Sequence, residues 1–349
     1  MTAPRFQVVG IGNAIVDVIA PADDAFLDRM GIAKGIMQLI ERDRAEALYA
    51  AMEAPRQVPG GSVANTMAGC GNLGLRTAFI GRVRDDALGR FYAGAMAEEG
   101  TVFANPPVPA AMPADGNPAG AGPADRDLPT SRSMIFFSPD GERSMNTYLG
   151  ISAELGPEDV RADVAGAAAI LLLEGYLYDR PAGKAAFETA ARLTRRSGGM
   201  AGIALSDPFC VDRHRADFRR LVRELDYVIG NQHEWESLYE CGLAEALRRA
   251  AQDCGLVVCT RSGDEVILIR GEERVVVPVR RLTPVDATGA GDLFAAGFLY
   301  GLIHGMPLET AGRMGCLAAA EVISHVGARP EGDLRQLFRE AGLPVAETV

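Results

Sequence analysis

Residues 286–298 read DATGAGDLFAAGF: three small residues, Gly289, Ala290 and Gly291, then Asp292, then an apolar run of helical character. Small residues leave the backbone bare where the helix begins, and the unpaired N–H groups of a helix start attract anions. A carboxylate inside an anion trap needs an explanation. One is plain capping, because aspartate favours helix starts. The other is chemical. The helix dipole puts about half a positive charge at this end, which suits the charge that builds on a phosphoryl group in transfer. A hydroxyl that attacks such a group must lose its proton, and a carboxylate beside it can take it. On that reading Asp292 prepares the trap's visitor rather than filling the trap.

Outward from this stretch, short apolar runs alternate with helical patterns. FQVVGIG, TAFIGRV, AAILLLEGYL, MAGIALSD, LDYVIGN and LVVCTR read as strands, and helical patterns lie around 62–73, 88–99, 182–196, 214–224, 234–239 and 243–252. The alternation predicts an α/β fold of three layers, α/β/α, around a mostly parallel sheet covered on both faces. Three segments break it: IVDVIA, GIMQLIERD and SMIFFSPDGERSMNTYLG, the last a hairpin around Pro139-Asp140-Gly141. They predict a small second sheet, built from about 13–20, 34–42 and 130–150. VILIRGEERVVVPV reads as a further hairpin. Residues 104–129 are rich in Pro, Ala and Gly with almost no large apolar side chain, and predict a flexible insertion. The chain, 1–349, reads as one domain.

Bulk properties exclude several classes. A net charge of -11 argues against a nucleic-acid partner. The six cysteines form no C-x-x-C, and the four histidines show no metal-ligand spacing, so no zinc site built from side chains is expected. LFAAGFLYGLIHGM is too short to span a bilayer, and no targeting segment stands out, so a cytoplasmic protein is expected. GIGNAI fits G-x-G at Gly10 and Gly12, but Ile15 stands at the third glycine position and strand-like sequence follows, which argues against a dinucleotide site. No Walker loop is present.

In an open parallel sheet, ligands sit at the carboxyl ends of the strands. Polar residues collect there: Asn13 and Asp17, Glu174, Asp207, Asn231 and Glu234, Arg261 and Ser262, and Asp286 after RLTPV. In PGGSVANTMAG the pair Gly60-Gly61 allows a close approach to the backbone, and Asn65 offers both a donor and an acceptor to hydroxyl groups. A tight turn and helix cap explain the same residues equally well.

Taken together, GGSVAN, NQHE and DATGAGDLFAAGF resemble the signatures of the ribokinase-like carbohydrate and nucleoside kinases, the PfkB family, over roughly residues 6–340. The resemblance implies a ribokinase-like fold with the small sheet as a lid. It implies Asp292 as general base and Gly289, Ala290 and Gly291 as the anion hole. Asn13, Asp17, Gly60, Gly61, Asn65 and Glu174 would bind substrate. Asn231 and Glu234 would organise ATP and Mg2+, with Thr260, Ser262 and Gly263 at the nucleotide. Backbone carbonyls near Asp286, Thr288 and Gly327 would suit a monovalent cation such as K+. One departure is Arg84, which stands in GRVRDDALG where many members carry glycine.

GIGNAIVDV, RSMNTYLG and LLLEGYLYD resemble bacterial adenosine kinase-like members. The expected substrate is therefore a nucleoside, adenosine first, phosphorylated at its 5'-OH. A ribose- or fructose-type sugar kinase is the alternative, and a non-catalytic sugar or nucleotide binder the third reading. An apolar slot for a base would draw on Ile15, Met37, Phe136 and Met145, or these would be core. Pairing of two lids into a homodimer stays open.

Overall fold

The apolar runs read as strands lie side by side. In the computed structural model, which describes residues 5–109, 128–140 and 142–346, the strands in chain order are β1 (Phe6–Ile11), β2 (Ile15–Pro21), β3 (Met37–Leu39), β4 (Arg56–Gly60), β5 (Thr77–Ile80), β6 (Thr101–Phe103), β7 (Ser131–Phe137), β8 (Arg143–Tyr148), β9 (Ala168–Glu174), β10 (Met200–Ala204), β11 (Tyr227–Asn231), β12 (Val257–Thr260), β13 (Val266–Arg270) and β14 (Glu273–Val277). The large sheet has the order β14-β13-β12-β11-β10-β9-β1-β5-β6. From β12 to β6 every pairing is parallel, and β13 and β14 add an antiparallel hairpin at one edge. Alternate residues of one strand enter different cores: Leu172 joins one hydrophobic cluster, Leu171 and Leu173 the other. A strand buried on two faces has no polar side, which is why these runs are apolar throughout.

Strand order reverses between β1 and β9. From β1 the chain proceeds to β5 and β6 on one side, and from β9 to β10, β11 and β12 on the other. Such a switch point opens a crevice at the carboxyl ends of the two central strands. Asn13 and Glu174 stand there. The helices Ser62–Asn72 and Ala290–Ile303 pack together beside it.

The second sheet has the order β3-β8-β7-β2-β4. Val16, Val18, Ala20, Met134 and Phe136 on one face pack with Leu27, Ala45 and Leu48, which belong to the helices Asp24–Met30 and Arg42–Ala51. β4 is not foreseen from sequence. RQVPG contains Pro59 and a single branched apolar residue, a pattern tolerated only at a sheet edge, and β4 is an edge strand. RLTPV, read as a strand, is exposed and irregular, because Pro284 and its neighbours pair with no sheet.

Most of the segment 104–129 lies outside the described residues, but its flanks are packed. Ala104 and Asn105 are buried, and Val108 bridges to Arg84. The Arg84 guanidinium donates to the carbonyls of Pro109 and Leu128, so it ties the two flanks together. A glycine at that position could not. Among the described residues no helix is long and apolar enough to cross a membrane.

Candidate active site

Gly289 caps the helix Ala290–Ile303 with φ 80°, where a side chain would collide with Ala328. The amides of Gly291 and Asp292 have no partner among the described residues, as the first turn of a helix requires. A β-carbon added at Gly291 would meet nothing within 4 Å. The helix start is thus uncrowded on the side a Gly291 side chain would occupy.

Asp292 stands beside that space. Its Oδ1 accepts from Ser62 Oγ at 2.7 Å and its Oδ2 from Asn65 Nδ2 at 3.0 Å. Thr66 Oγ1 donates to its carbonyl at 3.0 Å. Ser62, Asn65 and Thr66 share one face of the helix Ser62–Asn72, as spacings of three and four require. Burial raises the Asp292 carboxyl from 3.8 to about 6, against the lowering effect of Ser62, Asn65 and Arg329. Near neutral pH it is ionised yet basic enough to accept a proton.

Asp17 comes from β2. Burial carries its carboxyl to about 7, with Arg329 and Arg143 pulling it down and Asp292 pushing it up. The glycine pair serves this geometry. A β-carbon at Gly60 would strike the Asp17 carboxylate at 2.4 Å, and one at Gly61, where φ is 94°, would strike the Asn13 carbonyl at 2.3 Å. The close approach read from the pair is made by the chain's own Asp17 and Asn13.

Asn13 and Glu174, expected at substrate, are buried and turned to each other. Glu174 is 1% exposed. Its Oε1 accepts from Asn13 N at 3.1 Å and Nδ2 at 2.7 Å, and its Oε2 from Val63 N at 3.2 Å. Asn13 Oδ1 accepts from Ser152 Oγ at 2.8 Å. Burial lifts Glu174 to about 7. The pair fastens the ends of β1 and β9 to the start of the helix that carries Ser62 and Asn65. Both side chains therefore have protein partners at the switch point.

Two arginines were missed. Arg143, on β8, pairs with Asp286 at 2.5 Å and donates to Thr288 Oγ1 at 3.1 Å. Asp286 is buried and also accepts from Thr288 N at 3.0 Å and Gly327 N at 2.7 Å. It gathers the three residues expected at a cation and brings a guanidinium to the start of the helix Ala290–Ile303. Arg329 donates to Asn65 Oδ1 at 3.3 Å and pairs with Glu99. Alternation in the hairpin could have pointed to Arg143, because it shares a face with Asp17. Nothing local marks Arg329.

Register fixes the rest of that face. Asp17, Ser133, Thr147 and Leu39 lie in one cross-strand row, and Ile19, Ile135, Met145 and Met37 in the next. Paired residues point to the same side. Met37 and Leu39 are 46% and 54% exposed, which leaves an apolar strip continuous with Asp17 and Arg143. Ile15 is on this face as well. Phe136 is not: it belongs to the core behind the sheet, its ring centroid 5.2 Å from that of Phe26 and tilted by 40°.

Farther along the sheet, Asn231 and Thr260 are neighbours in register at the ends of β11 and β12. Asn231 and Glu234 form a capping box for the helix Gln232–Tyr239: Asn231 Oδ1 accepts from Glu234 N at 3.0 Å, and Asn231 N donates to Glu234 Oε2 at 2.8 Å. Glu234 is buried and raised to about 7 by desolvation. Ser262, with φ 52°, and Gly263 form an exposed turn whose carbonyl at Gly263 accepts from Arg281 at 3.2 Å. Among the described residues no three His, Cys, Asp or Glu converge on a metal position. Both carboxylate oxygens of Glu234 accept from Asn231, at 2.8 Å from its N and 2.6 Å from its Nδ2.

The sequence profile of the pfkB family carbohydrate kinases matches residues 123–333. The chain is 44% identical to the crystal structure of adenosine kinase from Sinorhizobium meliloti, covering 97% of this chain and 99% of that one with a TM-score of 0.85. A probable sugar kinase from Rhizobium etli CFN 42 is also 44% identical, covering 98% and 100%, with a TM-score of 0.85. A fructokinase of Klebsiella pneumoniae is 30% identical over 298 residues, 80% of this chain and 89% of its own.

Proposed function

The chain belongs to the pfkB carbohydrate kinase family and is a sugar or nucleoside kinase; from that premise we propose that it moves the terminal phosphoryl group of ATP to the 5'-hydroxyl of adenosine. The observation that carries the nucleoside reading is the strip of exposed Met37 and Leu39 with half-buried Met145 on the same face as Asp17. A nucleoside has a diol at one end and a flat apolar base at the other. Asp17 suits the diol as an acceptor, and the strip suits the base. A free pentose would leave the strip wet.

Asp292 takes the proton of the attacking hydroxyl while Ser62 and Asn65 hold its carboxylate in place. The amides of Gly291 and Asp292, with the helix dipole behind them, stabilise the equatorial oxygens of the phosphoryl group. Arg143 adds positive charge at the same edge. Asn231, Glu234, Thr260, Ser262 and Gly263 border the nucleotide, where Glu234 would hold Mg2+ through water. That ion, when bound, neutralises phosphate charge. The carbonyls of Asp286, Thr288 and Gly327 are the K+ candidates, held together by the Asp286 carboxylate. The small sheet acts as a lid that excludes water, a competing acceptor.

A panel of adenosine, guanosine, ribose and fructose with MgATP tests this, read by ADP release. Adenosine should give the highest kcat/KM. Met37→Glu should raise KM for adenosine about tenfold, the cost of roughly 1.4 kcal/mol of apolar contact, and leave any ribose turnover unchanged. Preference for fructose or ribose would select the sugar kinase reading.

A further inference from the structure

Three consecutive residues near the C-terminus touch three parts of the site. The amide of Gly327 donates to Asp286, Ala328 packs against Gly289 where a side chain would not fit, and Arg329 reaches Asn65. The far end of this segment is fastened as well: Glu321 Oε1 accepts from Glu331 N at 2.9 Å and Gly332 N at 2.7 Å. Only the arginine has a role that the reaction as derived above does not use.

We propose that Arg329 is a positioning residue for the base: it fixes the Asn65 amide so that its nitrogen, and not its oxygen, meets Asp292. The proposal rests on the reading of Asp292 as general base. An amide has two ends of nearly equal shape. Turned one way, Asn65 donates to the carboxylate. Turned the other, it sets an oxygen against an ionised oxygen. A guanidinium has donors and no acceptor, so its Nε at 3.3 Å can tolerate only the oxygen of Asn65. The nitrogen is thereby left to Asp292 at 3.0 Å. Arg329 is itself held, because its other arm pairs with Glu99 and contacts Met96 Sδ. Its side chain is 12% exposed, so its charge is poorly screened.

The charged groups around Asp292 are few. Asp17 faces it from β2, Glu174 from the end of β9 and Arg329 from the C-terminal segment, while Arg143 acts on Asp17 from β8. Arg329 lowers both Asp17 and Asp292, so losing its charge should raise both.

Two variants separate orientation from charge. Arg329→Met removes both; Arg329→Lys keeps the charge and loses the planar fork. With adenosine and MgATP at saturation, kcat is followed from pH 5 to 9. In parallel, the Asp292 carboxyl is titrated by NMR in protein labelled with 13C at aspartate, its resonance assigned by its loss in Asp292→Asn. Arg329→Met should lower kcat about tenfold or more, as a slightly misplaced group does. It should also move the acid limb and the Asp292 titration up by about one unit, the low end of a neighbouring charge. Arg329→Lys should leave both titrations where they are and still turn over more slowly. Adding Asn65→Ala to Arg329→Lys should cost little more than Asn65→Ala alone, because the two act as one device. Unmoved titrations and a kcat within twofold in Arg329→Met would overturn the proposal. Should that variant not fold, additive losses in Arg329→Lys with Asn65→Ala would overturn it. An Asp292→Asn enzyme that stays active would instead overturn the base reading on which it rests.

Discussion

Replacing Asp292 by asparagine changes one oxygen to an amide and removes the charge. Two effects on stability oppose each other. Ser62 and Asn65 both donate to the carboxylate; the new NH2 group is tolerated where it faces Ser62, whose hydroxyl can turn to accept, whereas facing Asn65 it leaves a donor without an acceptor, at about 1–3 kcal/mol. Against this, burial has raised the carboxyl from 3.8 to about 6, so folding disfavours the charged form by about 3 kcal/mol above pH 6, a penalty the amide does not carry. Asp292→Asn should therefore melt within a few degrees of the parent at pH 7.5. Its kcat should nevertheless fall by about 10²–10⁴, the worth of a general base, with KM for adenosine changed far less. The parent's kcat should decline below pH about 6, because the base must be ionised to act. Coupled ADP release at saturating MgATP and adenosine reads all of this. A variant with near-normal kcat would reduce Asp292 to a helix cap. An acid limb that persists in the variant's residual activity would belong to Asp17 or Glu174, both near 7, and would remove the pH argument.

Arg143→Gln should lower kcat about 10²-fold by taking charge from the anion hole, and should also lower Tm, because Asp286 is left buried without its cation; an unchanged kcat in a folded variant would confine Arg143 to structure. Gly291→Ala should keep or raise Tm, since its β-carbon meets nothing and alanine favours a helix by about 0.5–1 kcal/mol, yet slow phosphoryl transfer by filling the space before the amides. Gly289→Ala should lose Tm at φ 80°, with Ala328 2.7 Å from the added carbon. Glu174 binds its proton up to about 7 when folded against 4.5 otherwise, so its contribution is fully present below pH 4.5 and is lost as pH rises through 7, about 3 kcal/mol in all. Denaturant melts of Glu174→Gln should show a flatter decline between pH 5 and 8 than the parent.

The residues that bear on chemistry were readable where local physics marks them. Parallel strands buried on two faces are apolar end to end, so β1, β5, β9, β10, β11 and β12 stood out, and their exits located Asn13, Glu174 and Asn231. The small residues before Asp292 announced a bare helix start. What escaped is what only tertiary contact creates. Asn65 meets Arg329 across 264 positions, Ser62 meets Asp292 across 230 and Arg143 meets Thr288 across 145. An arginine in an ordinary turn carries no local trace of a partner so distant. The same limit governed direction. A polar residue at a strand exit must be satisfied, but the exit does not say by what. Glu174 and Asn13 could have turned to a ligand; burial and three protein donors turned the carboxylate inward. Asp17, on β2, has no such donors among the described residues, and its carboxylate lies buried against Gly60 with Arg329 and Arg143 as its nearby cations. Asp292 shows that satisfied oxygens alone do not settle a role: Ser62 and Asn65 hold its carboxylate, yet burial keeps it basic beside a helix start whose amides lack partners among the described residues.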